Sequence, residues 1–208
     1  MYISDSKWQV MQRLTTKILE HVAGLPEGVP VSAKELLHLG SRAAVDQALS
    51  RLAQRGQLMR AGRGLYVRPV ETRFGKRPPS VEQMVQALAG SKGEIIASHG
   101  AAAANALGLT TQVPVRAVYL TSGRSRRLKL GELTVEVRHA PGWQLAMAGR
   151  PAGEAIRALA WLGEAHAGEA IRTLRRRLPA SVLEEMVGAR PRLPTWLAQQ
   201  VSRLVVNG

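Results

Sequence analysis

Ser41, Arg42, Ala43 and Gln47, with Ser50 and Arg51 a turn later, fall on one side of a segment patterned as a helix. Their chemistry is that of base-edge recognition. An arginine fork matches the acceptors of guanine, and a glutamine amide matches the donor and acceptor of adenine, when both project from the first turns of a helix in the major groove. Arg42 and Asp46 lie four residues apart, so their spacing also fits an ion pair on a solvated helix face.

Such side chains need a helix held by its opposite face. Ser41 is a good N-cap, Ala44, Val45, Ala48, Leu49 and Leu52 recur as an apolar stripe, and Gly56 ends the run. Upstream, Ser32-Ala33-Lys34-Glu35 has the form of a capping box opening a shorter helix through Leu36, Leu37 and Leu39, with Gly40 at a tight inter-helix turn. Downstream, Leu58-Met59-Arg60 and Leu65-Tyr66-Val67 flank the loop Ala61-Gly62-Arg63-Gly64 as a hairpin. Its short basic loop suits DNA phosphates, with Arg60 and Arg63 as the contacts and Tyr66 in the core. An additional helix over Lys7–Val22, with Trp8, Met11, Ile18, Leu19 and Val22 as its stripe, packs behind. The set predicts a winged helix-turn-helix.

Catalytic chemistry has little to stand on. His21, His38, His99, His139 and His166 are far apart in sequence, and none has a metal-ligand spacing with a carboxylate. In Ser98-His99-Gly100 neighbouring side chains point to opposite faces of a strand, so His99 reads as a capping or packing residue. Gly62-Arg63-Gly64 lacks the strand-before, helix-after context of a phosphate loop. The chain has no cysteine, and residues 79–208 hold no aspartate. The expectation is a protein that is not an enzyme, with no catalytic residue, metal or cofactor.

Charge points to a polyanion. The 208 residues carry 29 Lys+Arg against 15 Asp+Glu, a net +14, and an excess of that size favours nucleic acid through steering and counterion release. Arg-, Ala- and Gly-rich composition also follows from a GC-rich genome. The excess is shared: residues 1–78 hold 13 basic and 6 acidic side chains, and residues 79–208 hold 16 and 9. Arg124, Arg126, Arg127 and Lys129 mark a hairpin that could form a second basic surface. Arg175-Arg176-Arg177 read equally well as cations at a helix C-terminus, where they complement the dipole.

The polar, proline-bearing run Glu71–Pro79 reads as a boundary, dividing a DNA-binding domain over 1–78 from an α+β domain over 79–208. In the second, Ser80-Val81-Glu82-Gln83 caps a helix through Ala89, and Glu94–Ala97 forms a strand. Ala101–Leu107 is a small-residue helix that must pack closely on something. Strands over 116–121, 126–130 and 133–138 follow, the last with Leu133, Val135 and Val137 on one face. Beyond Pro151 the chain is a helical tail, with stripes of Ile156, Leu159 and Ala160, then Ile171, Leu174 and Leu178, a helix capped at Ser181, and a last one carrying Leu197, Val201, Leu204 and Val205. The fold class is thus α+β: a winged helix-turn-helix, then a small mixed α/β domain with a helical C-terminal tail. No apolar run reaches the roughly 20 residues of a membrane span, and Met1–Ser6 lacks the features of a signal peptide. A soluble, cytoplasmic protein with no membrane partner is expected.

Several of these stretches resemble one family. The run from Gly40 to Leu52, the wing Arg63-Gly64-Leu65-Tyr66, and above all the Gly-Ala-rich run from Gly100 into Gln112-Val113-Pro114 resemble the AbiEi-type antitoxins of type IV (abortive-infection E) toxin–antitoxin systems. Val118–Gly123 and Val135–His139 extend the likeness, which covers roughly residues 10–190. The resemblance implies an N-terminal winged helix that represses its own operon at inverted repeats in promoter DNA. It also implies a C-terminal domain that counters a nucleotidyltransferase-like toxin without forming a stable complex. Two other classes remain: a stand-alone winged-helix regulator with a ligand-sensing second domain, and a nucleic-acid enzyme delivered by its winged helix.

Overall fold

The chain folds as α+β. The computed structural model describes residues 3–204, with side chains described from Gln9 onward except Val10. The side chain of Trp8 and the whole of Val205, both expected on apolar stripes, lie outside the described residues. Among the described residues no helix is long and apolar enough to cross a membrane. The chain divides into two compact units, one of residues 1–93 with 127–135 and one of residues 94–126 with 136–208.

In the first unit α1 spans Ile3–Ala23 and β1 Val31–Ser32, and α2 spans Arg42–Gln54. Then come β2 (Met59–Gly62), β3 (Leu65–Val67), β4 (Val70–Thr72), β5 (Gly75–Arg77) and α3 (Val81–Lys92). Helix α2 starts where its sequence says it should. The Ser41 hydroxyl accepts from the Ala44 amide at 3.4 Å, and Val45, Ala48, Leu49 and Leu52 are buried. At the other end Gly56 takes a φ of +66°, the left-handed conformation that terminates helices. Those four residues pack with Leu14, Ile18 and Val22 of α1, and with Leu36, Leu58 and Tyr66, into one core.

Strands β1, β3 and β2 form an antiparallel sheet in that order. Its hairpin turn is tighter than expected. Ala61 is buried within β2, Arg63-Gly64 alone make the connection, and Gly64 has a φ of +68°.

Two expectations fail here. Residues 33–39 form successive turns, not a capped helix. Ser32 is committed to β1, its Cα opposite Leu65. The amides that follow bond three residues back, Glu35 to Ser32 at 3.1 Å and Leu39 to Leu36 at 2.9 Å. Only half of the capping box forms, the Ser32 amide donating to the Glu35 carboxylate at 3.1 Å. Nor is the run from Glu71 a plain linker. β4 and β5 pair as a two-stranded sheet, Glu71 opposite Lys76, around an Arg73-Phe74 turn.

The 78/79 boundary expected from composition therefore lies inside the first unit, with α3 beyond it. Gly28 shows why α3 belongs there. A Cβ at that glycine would sit 3.0 Å from both the Gln83 Cβ and the Met84 amide, so α3 packs against the loop after α1. Residues 127–135 join the same unit, with Leu128 beside Gly62 and Gly131 beside Met59 and Pro78.

In the second unit β6 (Ile96–Ser98) pairs antiparallel with β7 (Ala117–Thr121). β8 (Arg126–Leu130) and β9 (Leu133–His139) follow in the sheet order β6-β7-β9-β8, with residues 127–130 and 133–135 of these two strands belonging to the first unit. α4 (Gly100–Ala106) packs on α6 (Pro151–Leu162), and the expected close approach is real. A Cβ on Gly100 would overlap the Arg157 carbonyl and lie 2.6 Å from the Trp161 Cβ. α5 (Gly142–Leu145), α7 (Glu164–Arg177), α8 (Ala180–Gly188) and α9 (Thr195–Ser202) complete the unit. Ile156, Leu159, Ile171, Leu174, Met186, Leu197 and Val201 share its helical core. α8 begins at Pro179 as N-cap, without a side-chain capping bond, so Ser181 is inside the helix and not its cap.

Candidate nucleic-acid interface

The core leaves one face of α2 to solvent. Arg42, Ala43, Asp46, Gln47 and Ser50 are exposed there, while Ser41, also exposed, spends its hydroxyl capping the helix. Arg42 Nε donates to Asp46 Oδ2 at 2.8 Å, so the ion pair its spacing allowed does form. With both side chains more than half exposed, such a pair is worth at most about 1 kcal/mol and opens readily for another acceptor. Arg51 differs from its neighbours. It is half-buried on the flank of α2 and lines a crevice with Met11, Gln12 and Thr15 of α1 and with Arg55.

Arg60 and Arg63 are both exposed, Arg60 on β2 opposite Tyr66 and Arg63 at the turn. Tyr66 is buried in the core, as its place in the hairpin implied. The face thus carries a neutral amide and hydroxyl on α2, a loosely held Arg42–Asp46 pair, and two arginines on the β2–β3 hairpin. Hydrogen-bond donors and acceptors of this kind, on a rigid helix beside a basic turn, can meet a polyanion and its base edges.

The second basic surface is smaller than its sequence suggests. β8 alternates, so Arg126, Leu128 and Leu130 turn inward while Arg127 and Lys129 are exposed, as is Arg124 just before the strand. Arg126 Nη2 lies 2.6 Å from Glu94 Oε2, with both side chains mostly buried. The Thr121 hydroxyl donates to the same carboxylate oxygen at 3.1 Å. Arg126 is a structural ion pair and leaves the surface group. The arginine triplet is similarly employed in part, since Arg177 donates to the Leu107 carbonyl at 2.8 Å and so closes the C-terminal end of α4.

His99 is the N-cap of α4, its Nδ1 accepting from the Ala101 amide at 3.2 Å. Burial, and then the positive charge of Arg138, push its pKa below the ordinary histidine value, which keeps the ring neutral and able to accept. His21 and His38, remote in sequence, come together with ring centroids 5.6 Å apart. Among the described residues there is no group of three His, Cys, Asp or Glu side chains that could hold a metal ion.

Sequence reasoning passed over one group in the second unit. Arg157 of α6 is 2% exposed, donating to the Gln144 carbonyl at 3.3 Å and the Ser98 hydroxyl at 3.5 Å while its Nε has no partner. Desolvation lowers its pKa, and the charge of Glu154 opposes that shift. The available signal was that Ala152–Leu159 is apolar nearly all round, the mark of a buried helix. Arg157, flanked by Ile156 and Ala158, falls on that buried part of the helix, whereas Glu154 in its first turn is only half-buried.

No curated protein and no solved structure matches the chain. A family model does match, over residues 17–180, most of both units. The chain belongs to the family described as "Family of unknown function (DUF6088)".

Proposed function

We propose that the first unit is a winged DNA-binding domain of the helix-turn-helix kind that binds promoter DNA, with the turns over residues 33–39 standing where the first helix of that motif would lie, α2 as the reading helix and the β2–β3 hairpin as the wing. The observation that carries this reading is the solvent face of α2. Ala43, Gln47 and Ser50 stand exposed on a helix whose opposite face is fully buried, beside a hairpin bearing Arg60 and Arg63. The net charge of +14 supplies a sequence-independent attraction for the duplex. With the resemblance to AbiEi-type antitoxins, the fuller reading is a protein that represses its own operon and whose second unit counters a nucleotidyltransferase-like toxin.

Two measurements test it. Binding of the full chain to the duplex upstream of its own gene should exceed binding to a scrambled duplex of equal length and composition. Co-expression with a neighbouring nucleotidyltransferase-like gene product should relieve growth arrest. Equal affinity for both duplexes removes the promoter reading, and growth arrest unrelieved by the full chain removes the antitoxin reading.

A regulator whose second unit senses a small molecule has one observation in its favour. A cavity of about 390 Å³ is lined by Met147, Glu185, Ala189 and Arg192, among others. Met147 has a φ of +56°, a strained conformation for a residue with a side chain, and such strain collects at binding sites. A small molecule that releases promoter DNA from the full chain would decide for this reading.

A further inference from the structure

The turn that joins α5 to α6 carries a residue its backbone does not favour. Ala146 has a φ of −57° and a ψ of +136°, Met147 has a φ of +56°, and the Ala148 amide donates to the Leu145 carbonyl at 3.2 Å. These are the marks of a type II turn, whose third residue is normally glycine or asparagine. Among the described residues Met147 alone has a positive φ without being glycine. Its surroundings hold it there. The Met147 carbonyl accepts from the Arg150 amide at 3.0 Å, and it lies so close to α6 that a Cβ on Gly153 would overlap it. A glycine at 147 would satisfy that backbone without strain, so what the position gains from methionine is the side chain.

That side chain packs on the helical core and lines the cavity of about 390 Å³. Ala146 stands beside it, Glu185, Gly188 and Ala189 come from the end of α8, and Pro191 and Arg192 come from the single 3₁₀ turn Arg190–Arg192. A hollow of that size is in the range of small-molecule sites. The lining holds one acid and one base, and their states differ. The Glu185 carboxylate is already matched, with Arg150 Nη2 2.5 Å from its Oε1. The Arg192 side chain is exposed and has no ion-pair partner among the described residues. A cation just past a helix often serves the helix dipole. Here Arg190 does so, its Nε donating to the Val187 carbonyl at 2.9 Å and its Nη1 to the Ser202 hydroxyl at 3.3 Å. Arg192 is therefore the uncompensated charge of the cavity.

We propose that this cavity binds a small apolar carboxylate, with Arg192 pairing its charge and Met147, Ala189 and Pro191 covering its hydrocarbon body. A carboxylate can accept from both arms of a guanidinium fork, and a thioether adapts to an aliphatic or aromatic body without demanding one shape. This names a ligand class for the ligand-sensing reading of the second unit. It rests on that reading only for the effect on DNA, since occupancy is measured with no DNA present.

The probe is 3-phenylpropanoate, titrated calorimetrically into the full chain beside 3-phenylpropanamide, 3-phenylpropylamine and acetate. Saturable binding of 3-phenylpropanoate is expected. The amide, the amine and acetate should each bind about tenfold more weakly or worse, for want of the charge or of the buried ring. The methyl resonance of Met147, identified by its loss in Met147→Gly, should shift on binding. Met147→Gly and Arg192→Gln should each weaken the acid by about tenfold, and Arg192→Gln should leave acid and amide equal. Both variants should unfold cooperatively, because glycine suits the turn and Arg192 is exposed. Arg172→Gln, at an exposed arginine of α7, should leave the affinity unchanged and so controls for the net charge of +14. No saturable binding, equal affinity for acid, amide and amine, or a loss in Arg172→Gln as large as in Arg192→Gln overturns the proposal. Binding that shifts the Met147 methyl yet leaves promoter DNA bound supports the site and removes only the sensing reading.

Discussion

Arg126 and Glu94 meet across 32 residues of chain, Nη2 to Oε2 at 2.6 Å, with side chains only 15% and 14% exposed. The carboxylate is fully engaged: Thr121 donates to it, and a Cβ on Gly123 would collide with it. This contact ties the strand β8 to the residue before β6, and it removes from the surface a cation that local sequence places there.

Breaking that pair from one side should be costly. Glu94→Gln leaves the Arg126 charge desolvated and should destabilise the chain by about 3 kcal/mol, whereas Glu94→Leu with Arg126→Leu should lie near wild type. Urea unfolding of the singles and the double completes the cycle. A single-variant loss below about 0.5 kcal/mol would mean that water screens the pair.

His99 should make stability pH-dependent on the acid side of neutrality. Its folded pKa lies below the ordinary 6.5, so between the two values the unfolded chain binds the proton and the folded one does not. The contribution is present in full above 6.5 and is lost as the pH falls through the folded value. Protonation also removes the Nδ1 lone pair that accepts from Ala101. His99→Asn caps without titrating, and its melting temperature should fall less than wild type between neutral and acidic pH. Parallel curves for the two proteins would show that His99 is not the group responsible.

Gln47 and Arg51 should separate. Gln47 is exposed, so Gln47→Ala should spare stability while reducing the preference for promoter over scrambled duplex by about 1–3 kcal/mol, the value of one bidentate base contact. Arg51 lies against α1, and Arg51→Ala should lower the unfolding temperature as well as that preference. An unchanged preference ratio in both variants removes them from base reading.

Arg60 and Arg63 should act on phosphates. Arg63 is followed by Gly64 at a φ of +68° on an exposed turn, a position that suits a phosphate contact better than a fixed bidentate pose. Replacing both by alanine should weaken promoter and scrambled duplex by similar factors. The slope of log affinity against log salt should become shallower by about 1.8, roughly 0.9 for each lost phosphate contact. A loss confined to promoter DNA at constant slope would place the hairpin in a groove.

What the sequence by itself determined was whatever rests on neighbours within a few residues. The Ser41 cap, the stripe from Val45 to Leu52 and the break at Gly56 specify α2, because capping and helical periodicity act over a turn or two. Alternation likewise specified β9, and the small side chains from Ala101 onward required the tight packing of α4. Tertiary structure decided the rest, because each remaining question turned on a partner far along the chain. Ser32 pairs with Leu65 in a sheet, and the helix promised by its capping box gives way to turns. Arg126 has the composition of a surface cation and the environment of a buried one, which Glu94 alone explains. Gly28 against Gln83, and Leu128 beside Gly62, draw α3 and residues 127–135 into the first unit, beyond the proline-bearing run that ends at Pro79. Local composition records how a segment prefers to fold; which distant surface desolvates it depends on packing, and packing is where these residues were assigned.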